Sequence, residues 1–441
     1  MFPRLLALAV PLVIATVPAQ AVEVSGSLTT LAYSQQRFDV EGDADQLPLF
    51  EFLALDVRDL GPAPLSLHLD GFAKLDLREQ TRGHDLQGEL TYAYLQWHDR
   101  TTGVDLRAGR HFVRQGVASE YLDGASVDWL SGQGVGVELF AGQQVDGDFG
   151  GNTGDVEGGG RLYLRRGHYE VGLSGMEARD NDQPGFARYG LDGWGALGPV
   201  SASGHAFWDR LSEEVYDSEL LLTWDATQKL LFTADVDRIL PSLLLSHTSI
   251  FGNEIFTTGE QREIGLRADY RLTDHLQLAA DTRQYDFSEG DDEWVAGGEA
   301  RLRWGARMDR EVGLRYEHEE LAQSTHLFGR YNQELARTTH RFALARLYYA
   351  LDFTLYDFDE PPFPANRRHF SHDTVATVGA ELGEAWEASL SLDYGARADY
   401  RDFTTTTSGG ETVRVPATVE SEGLSSRDAT NATFRLVYKF L

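Results

Sequence analysis

Candidate catalytic residues are sparse in this sequence. The thirteen histidines are scattered, and the one that lies among acids, in Glu317–Glu320, would suit a divalent cation but is more typical of a strand end entering a solvated loop. Glycine runs at Gly132–Gly136 and Gly158–Gly160 resemble phosphate-binding loops, yet no helix is predicted to follow them. Gly172–Gly175 lacks the spacing of a serine nucleophile elbow. The sequence therefore predicts a protein that is not an enzyme and has no metal or cofactor of its own.

Charged residues recur at every second position in segments that are otherwise apolar. In 294–304, for example, tryptophan, alanine, glycine and leucine alternate with Glu299, Arg301 and Arg303. Successive side chains of a β-strand point to opposite faces, so each segment has one apolar and one charged face. A charge that faced lipid at mid-depth would cost several kcal/mol, so the charged face must meet water or protein.

The inward-facing candidates carry both signs in equal number and are predicted to line a hydrated pore. They are Asp70, Lys74, Asp76, Asp105, Arg107, Asp235, Asp237, Arg267, Asp269, Arg271, Asp281, Arg283, Glu299, Arg301, Arg303 and Arg315. The arginines from 267 to 315 lie on neighbouring strands and favour a stripe that attracts anions. The alternative is a lattice of salt bridges that stiffens the wall. Both hypotheses are compatible with the pattern.

A further candidate site is the segment His111–Gly124, predicted to be a loop that folds inward and narrows the pore. The residues that would act there are Arg110, His111, Arg114, Glu120 and Asp123. An ordinary extracellular loop is the alternative.

Composition excludes several classes of protein. The chain has 441 residues, a formal net charge of -30 and no cysteine. The acidity argues against a nucleic-acid partner, and the missing cysteine excludes disulfides, thiolate metal sites and covalently attached haem. Much of the acidity falls in predicted loops such as Asp39–Asp45 and Asp357–Glu360, where divalent cations would bridge it to lipopolysaccharide.

The first twenty-one residues are predicted to be an export signal. Arg4 precedes an apolar stretch from Leu5 to Val17, and Ala19–Ala21 forms a small-x-small cleavage site. Residues 22–441 then form one domain. No later apolar run is long enough for a membrane-spanning helix.

Period-two alternation continues through the exported chain and predicts about 22 strands, with a range of 18–22. The weakest strands are 103–110 and 125–130. Short connections such as Ser131–Gly134 alternate with long ones such as Leu240–Gly259. A soluble β-sandwich also alternates, but the charged faces and the alternating loop lengths favour a transmembrane antiparallel β-barrel with short periplasmic turns and long extracellular loops.

The last strand supports this fold class by resemblance. Phe434, Leu436, Tyr438 and Phe440 share one face, which resembles the terminal strand of Gram-negative outer-membrane β-barrel proteins, including porins. The family pattern ends on an aromatic residue, whereas Leu441 follows here. The resemblance implies an outer-membrane location and recognition by the barrel-assembly machinery through Phe434, Tyr438 and Phe440.

The sequence favours a porin-like channel for passive diffusion of small hydrophilic solutes. The alternative is a scaffold barrel that sheathes a partner, such as a multi-haem periplasmic cytochrome that conducts electrons. An enzyme or adhesin is a third, weaker hypothesis. Solute identity and oligomeric state stay open, a homo-oligomer included, since nothing in the sequence marks a trimer surface.

Overall fold

The structure is a computed structural model of the whole chain. It describes residues 22–39, 42–61, 63–77, 87–145, 151–180, 183–240, 259–288, 292–305, 308, 310–319, 324–332, 338–342, 345–358, 370–396, 403–408, 411–416 and 428–440. Within these ranges there is no helix long and apolar enough to cross a membrane. The predicted export signal, residues 1–21, lies outside them.

The described residues form β-strands joined by turns. The strands are β1 (Glu23–Asp39), β2 (Gly42–Gln46), β3 (Pro48–Arg58), β4 (Leu65–Asp76), β5 (Gln87–Asp99), β6 (Val104–Gln115), β7 (Ala118–Leu130), β8 (Val135–Val145), β9 (Asn152–Arg166), β10 (Tyr169–Asp180), β11 (Gln183–Leu197), β12 (Val200–Asp209), β13 (Glu214–Thr227), β14 (Leu230–Ile239), β15 (Gln261–Arg271), β16 (Leu276–Phe287), β17 (Glu293–Trp304), β18 (Arg310–Glu319), β19 (Ser324–Asn332), β20 (Thr338–Phe342), β21 (Ala345–Phe358), β22 (Phe370–Leu382), β23 (Trp386–Ala396), β24 (Phe403–Ser408), β25 (Glu411–Pro416) and β26 (Asp428–Phe440).

Strands that follow one another in the chain pair antiparallel, and together they build one large sheet. β2 and β3 both pair with β1 and together form one strand of the wall. β19 and β20 likewise both pair with β21, so the 24 strands of the sheet correspond to 22 strands of the wall. β1 also pairs with β26, from Gly26 opposite Phe440 to Ser34 opposite Ala432. Each of the 22 therefore has a hydrogen-bonded neighbour on both sides, as a membrane-spanning sheet requires.

The two faces of the sheet differ as the alternation predicts. Leu139, Leu173 and Leu191 lie on the outer face and are half or more exposed, which suits contact with lipid. The opposite face carries the charged residues. Short turns join the strands at the end of the sheet that holds both Glu23 and Phe440, as predicted.

The predicted strand boundaries were wrong in one place that matters for function. The segment His111–Gly124 is not a loop: β6 and β7 run on through it and are joined only by Gly116 and Val117. The alternating pattern is obscured there because the apolar side chains on this hairpin are buried by protein rather than by lipid. β24 and β25 pair only with each other, as a separate hairpin within the last connection.

Candidate functional site

The β6–β7 hairpin leaves the wall of the sheet. β6 pairs with β5 only as far as Arg110, and β7 pairs with β8 only from Leu122 onward. Between these points, residues 111–121 pair only with each other across the hairpin. The turn then reaches a strand three places away, because the Val117 amide donates a hydrogen bond to Ser174 Oγ on β10, at 3.1 Å. The hairpin tip therefore folds inward and lies against the inner face of β8 to β10.

The height of this contact places the tip well inside the sheet. β6 has 12 residues from the short-turn end to Gln115, which is roughly 40 Å of extended strand. Ser174 lies only five residues beyond Tyr169, the first residue of β10, or roughly 17 Å from the same end. A hairpin that followed the wall would end far above Ser174, so this one descends to mid-depth.

A row of glycines marks the place where the hairpin bends. Gly109 lies opposite Gly124, and Gly124 lies opposite Gly142 on β8. A Cβ atom on Gly124 would lie 2.2 Å from the Ala141 carbonyl oxygen, and Gly109 has a φ of +120°. Side chains at these positions would clash or strain the backbone, so the bend depends on glycine. The sequence offered this signal, but only the pairing register brings the three residues together.

Arg110 and Asp123 hold the base of the hairpin. Their side chains form a two-pronged ion pair, with Nε and Nη2 each 2.8 Å from a carboxylate oxygen. The guanidinium also donates to the carbonyl oxygens of Leu90 and Gly151, at 3.0 and 3.2 Å. His111 is buried and bonds Ser126 Oγ at 2.8 Å. These contacts fix the angle at which the hairpin enters the interior.

The face of the hairpin that meets the wall is apolar. A buried cluster, unforeseen from the sequence, lies there: Val113, Val117, Ala118, Leu122, Phe140 and Met176, with Phe186 and Phe207 packed against it. Glu120 lies beside this cluster and accepts a hydrogen bond from Gln144 at 3.1 Å. Arg114 is exposed at the tip. The hairpin is thus held by packing as well as by hydrogen bonds, so we expect it to be fixed in place.

The glycine at the hairpin tip gives the first testable prediction. Gly116 has a φ of +60°, and a Cβ atom there would lie 2.2 Å from Ser174 Oγ. We expect Gly116→Ala to displace the tip at a cost of about 1–3 kcal/mol. Trypsin cleavage after Arg114, followed by mass spectrometry, should then become about tenfold faster.

Gly167→Ala is the matched control for this change. Gly167 has a similar φ of +55° in a turn, but nothing lies within 4 Å of the place that a Cβ atom would occupy. It carries the same backbone strain without the clash. Equal protection of Arg114 in the two variants would contradict the inward position of the tip.

Below the hairpin, Arg161 on β9 lies among three carboxylates of the inner face. Its guanidinium is 2.8 Å from Glu170 and 3.7 Å from Glu138, and it also forms a short ion pair with Asp192. Arg161 and Glu170 are both buried. Asp192 was missed from the sequence, because the glycines around it in β11 hide the alternation.

The predicted arginine stripe lies on the inner face, where five of its six members form ion pairs. Arg267 contacts Asp269 at 2.8 Å and Glu299 at 3.2 Å, and Arg315 contacts Asp281 at 2.8 Å. Other pairs complete the lattice: Arg283–Glu263, Arg301–Glu299, Arg303–Glu311 and Arg315–Glu317. This arrangement agrees with the salt-bridge lattice and leaves the stripe with little uncompensated positive charge.

The remaining predicted pore residues occupy strand positions of the same parity as the inner face. Arg107 contacts Asp105 at 3.4 Å. The Lys74 ammonium lies 5.6 Å from the ring centre of Phe50. The others are placed by the pairing of their strands with neighbouring strands. They are Asp70 and Asp76 on β4, Asp235 and Asp237 on β14, and Arg271 at the short-turn end of β15.

Comparison with known proteins addresses the fold alone. No family model and no curated protein matches the chain. Among solved structures, it is similar to the translocation pore of the P pilus usher PapC, with a TM-score of 0.51 and 8% identity over 95% of this chain and 100% of that one. The chain has the outer-membrane β-barrel fold.

Two porin structures also match this barrel at lower TM-scores. Pseudomonas aeruginosa OccK2 (OpdF), solved in complex with glucuronate, has a TM-score of 0.44 and 15% identity, over 67% of this barrel chain and 92% of that one. Acinetobacter baumannii OccAB2 has a TM-score of 0.44 and 11% identity, over 95% and 98%.

The terminal strand of the barrel carries the predicted assembly residues on its outer face. Phe434 and Tyr438 lie opposite Ala32 and Leu28 of β1. The Tyr438 ring is 4.5 Å from Trp386 and 5.9 Å from Phe440, near the short-turn end. Their recognition by the assembly machinery stays a prediction.

Proposed function

We propose that this protein is an outer-membrane channel for the passive diffusion of small hydrophilic solutes. The observation that carries the proposal is the inward hairpin, whose tip reaches mid-depth of a charged, water-compatible interior. A barrel of about 22 strands is wide enough to leak if it stays empty. A hairpin fixed across the interior narrows such an opening to a size that selects small solutes.

The predicted alternative, a sheath around a multi-haem cytochrome, receives no specific support. A sheath needs an interior free for its partner, whereas here the tip of the hairpin occupies mid-depth and packs on β10 through Ser174. Solute identity and oligomeric state remain to be measured.

The location follows from the same proposal. The outer face would contact outer-membrane lipid, and acids at the extracellular rim would bind divalent cations that bridge to lipopolysaccharide. The barrel-assembly machinery would insert the chain by way of its last strand.

Reconstitution into planar bilayers tests the channel directly. We expect open, ohmic current steps from the purified protein, and none from the same detergent without protein. Silent membranes, with folded protein present in the bilayer, would contradict the channel and favour a sheath.

Ion selectivity gives a second prediction. Because the wall arginines are paired with carboxylates, the interior has little net charge, and we expect only weak preference for cations. The reversal potential in a salt gradient should therefore lie close to zero. Strong cation selectivity at high salt, where rim charges are screened within about 3 Å at 1 M, would show that the inner-face assignments are wrong.

A further inference from the structure

A row of aromatic rings descends the inner face of β1, β3, β4 and β5. We call it the aromatic track; it consists of Tyr33, Phe50, Phe52, Phe72, Tyr92 and Tyr94. Phe72 has the same parity on β4 as Asp70 and Lys74, and its Cα partner is Phe52. The rings therefore face the interior, where there is no lipid to contact. Aromatic girdles of a membrane barrel belong on the outer face, so this row needs another explanation.

The four upper rings follow one another at nearly constant spacing. Ring centres are 6.0 Å apart between Tyr33 and Phe50, 5.8 Å between Phe50 and Phe52, and 5.7 Å between Phe52 and Phe72. The first two pairs are nearly parallel, with interplanar angles of 10° and 12°. Phe52 is 37% exposed although its neighbours are aromatic. A ring face is thus available to a solute in the interior.

Further down, the track ends in a cavity beneath the hairpin. Tyr92 and Tyr94 have ring centres 5.8 Å apart, and Tyr94 is 5.9 Å from His111 at the base of the hairpin. The cavity has a volume of about 460 Å³. Its lining combines rings with polar groups: Tyr92, Tyr94, Phe112, Tyr121, Arg107 and Asp128. The constriction and the track therefore meet at one place.

Hydrogen-bonding groups lie along the whole track. Asp70 is the Cα partner of Tyr92, and His68, which contacts Asp56 at 2.5 Å, stacks on Tyr94 at 4.7 Å. Lys74 lies over Phe50. Apolar ring faces bordered by carboxylates and cations match a solute with apolar C–H faces and a rim of hydroxyl groups. A purely apolar solute would cover these polar groups without forming hydrogen bonds to them.

We propose that the aromatic track and the cavity at its end bind a neutral saccharide chain on its way through the channel. The proposal rests on the proposed channel function and adds its substrate class. Sugar rings would stack on the aromatic faces while their hydroxyl groups bond the flanking charges. Each stacked ring contributes little, so the sugar would bind weakly at several points and still move on, as conduction requires.

Two measurements on the full-length protein test this inference. Maltose, maltotriose and maltohexaose are added to single channels in a bilayer, and maltohexaose binding to the detergent-solubilised protein is measured by calorimetry. We expect reversible current block whose residence time grows with chain length. Calorimetric binding is measured without conduction, so it tests the saccharide site even if the bilayer is silent.

Variants connect the binding to the track. The double variant Phe52→Leu/Phe72→Leu keeps apolar volume but removes two ring faces, and we expect about tenfold weaker maltohexaose binding. Tyr189→Leu/Trp208→Leu is the matched control, because these rings also stack, at 6.0 Å, but on the outer face. The control should bind and conduct as the unaltered protein does.

The outcomes separate the two proposals. Open channels with neither block nor calorimetric binding by any of the three sugars would overturn the saccharide site and leave the channel standing. Block by benzoate but by none of the sugars would overturn it in favour of aromatic acids. Equal loss of binding in the inner-face and outer-face variants would also overturn it. Silent bilayers with intact calorimetric binding would overturn the channel and support the site.

Discussion

Removal of the hairpin segment Val113–Tyr121, with a two-glycine link in its place, is expected to raise single-channel conductance about twofold or more. The segment folds inward and lies on the inner face at mid-depth, where the Val117 amide bonds Ser174. Conductance in a water-filled pore is set by its narrowest section, so removal of this section widens the path for ions. Planar-bilayer recording in concentrated salt measures the change.

A deletion of similar size in a hairpin separate from the large sheet is the control. Thr404–Val415 belongs to the β24–β25 hairpin, whose strands pair only with each other in the described part of the chain. Its removal should leave conductance unchanged. Val117→Asp is a milder variant, since a carboxylate in the apolar cluster should expel the tip and also raise conductance. Unchanged conductance in both hairpin variants would show that the hairpin does not constrict the channel.

Replacement of Arg161 is expected to cost stability more than any other single wall substitution discussed above. Arg161→Met leaves Glu138, Glu170 and Asp192 facing one another without their shared cation, and only Glu170 keeps a partner, the half-exposed Arg165 at 2.5 Å. Loss of one partner from a buried ion pair typically costs about 3–5 kcal/mol. Urea unfolding in lipid vesicles, followed by tryptophan fluorescence, measures the free energy of unfolding.

An exposed ion pair provides the comparison. Arg262 contacts Glu260 at 2.5 Å but is 57% exposed, so Arg262→Met should cost about 1 kcal/mol or less. Adding Glu170→Gln and Asp192→Asn to Arg161→Met should restore part of the lost stability, because the repulsion is removed. If Arg161→Met and Arg262→Met lose equal stability, Arg161 does not hold the three carboxylates together.

The sequence was sufficient for the fold because the solvent imposes a simple rule. Lipid covers one face of each strand and water the other. Alternation such as that of 294–304 therefore predicts a β-strand, the face on which each side chain lies and contact with the membrane. The alternation of short and long connections indicated that short turns lie at one end of the sheet and long loops at the other. The count of about 22 strands followed from these signals, since each strand must span the same thickness and pair with its neighbours in turn.

The same rule fails where protein replaces solvent. Between His111 and Leu122 the hairpin has protein on its wall side, so Val113, Val117 and Ala118 are buried without the period-two contrast that lipid and water create. The residues that mark the inward fold, Gly109 and Gly124, are 15 positions apart in sequence and become a bend only through their pairing. A loop was therefore predicted where the structure has two strands.

The sequence alone thus predicted two different faces for each strand, because that depends only on residue parity along the strand. Only the tertiary structure decided which charges neutralise one another, where the hairpin enters and which rings contact one another. These features depend on the register between strands and on contacts across the interior, such as Val117 with Ser174, that no local pattern encodes. Local periodicity determines the strands of the barrel wall, and long-range contacts determine the position of the hairpin and the ion pairs in the interior.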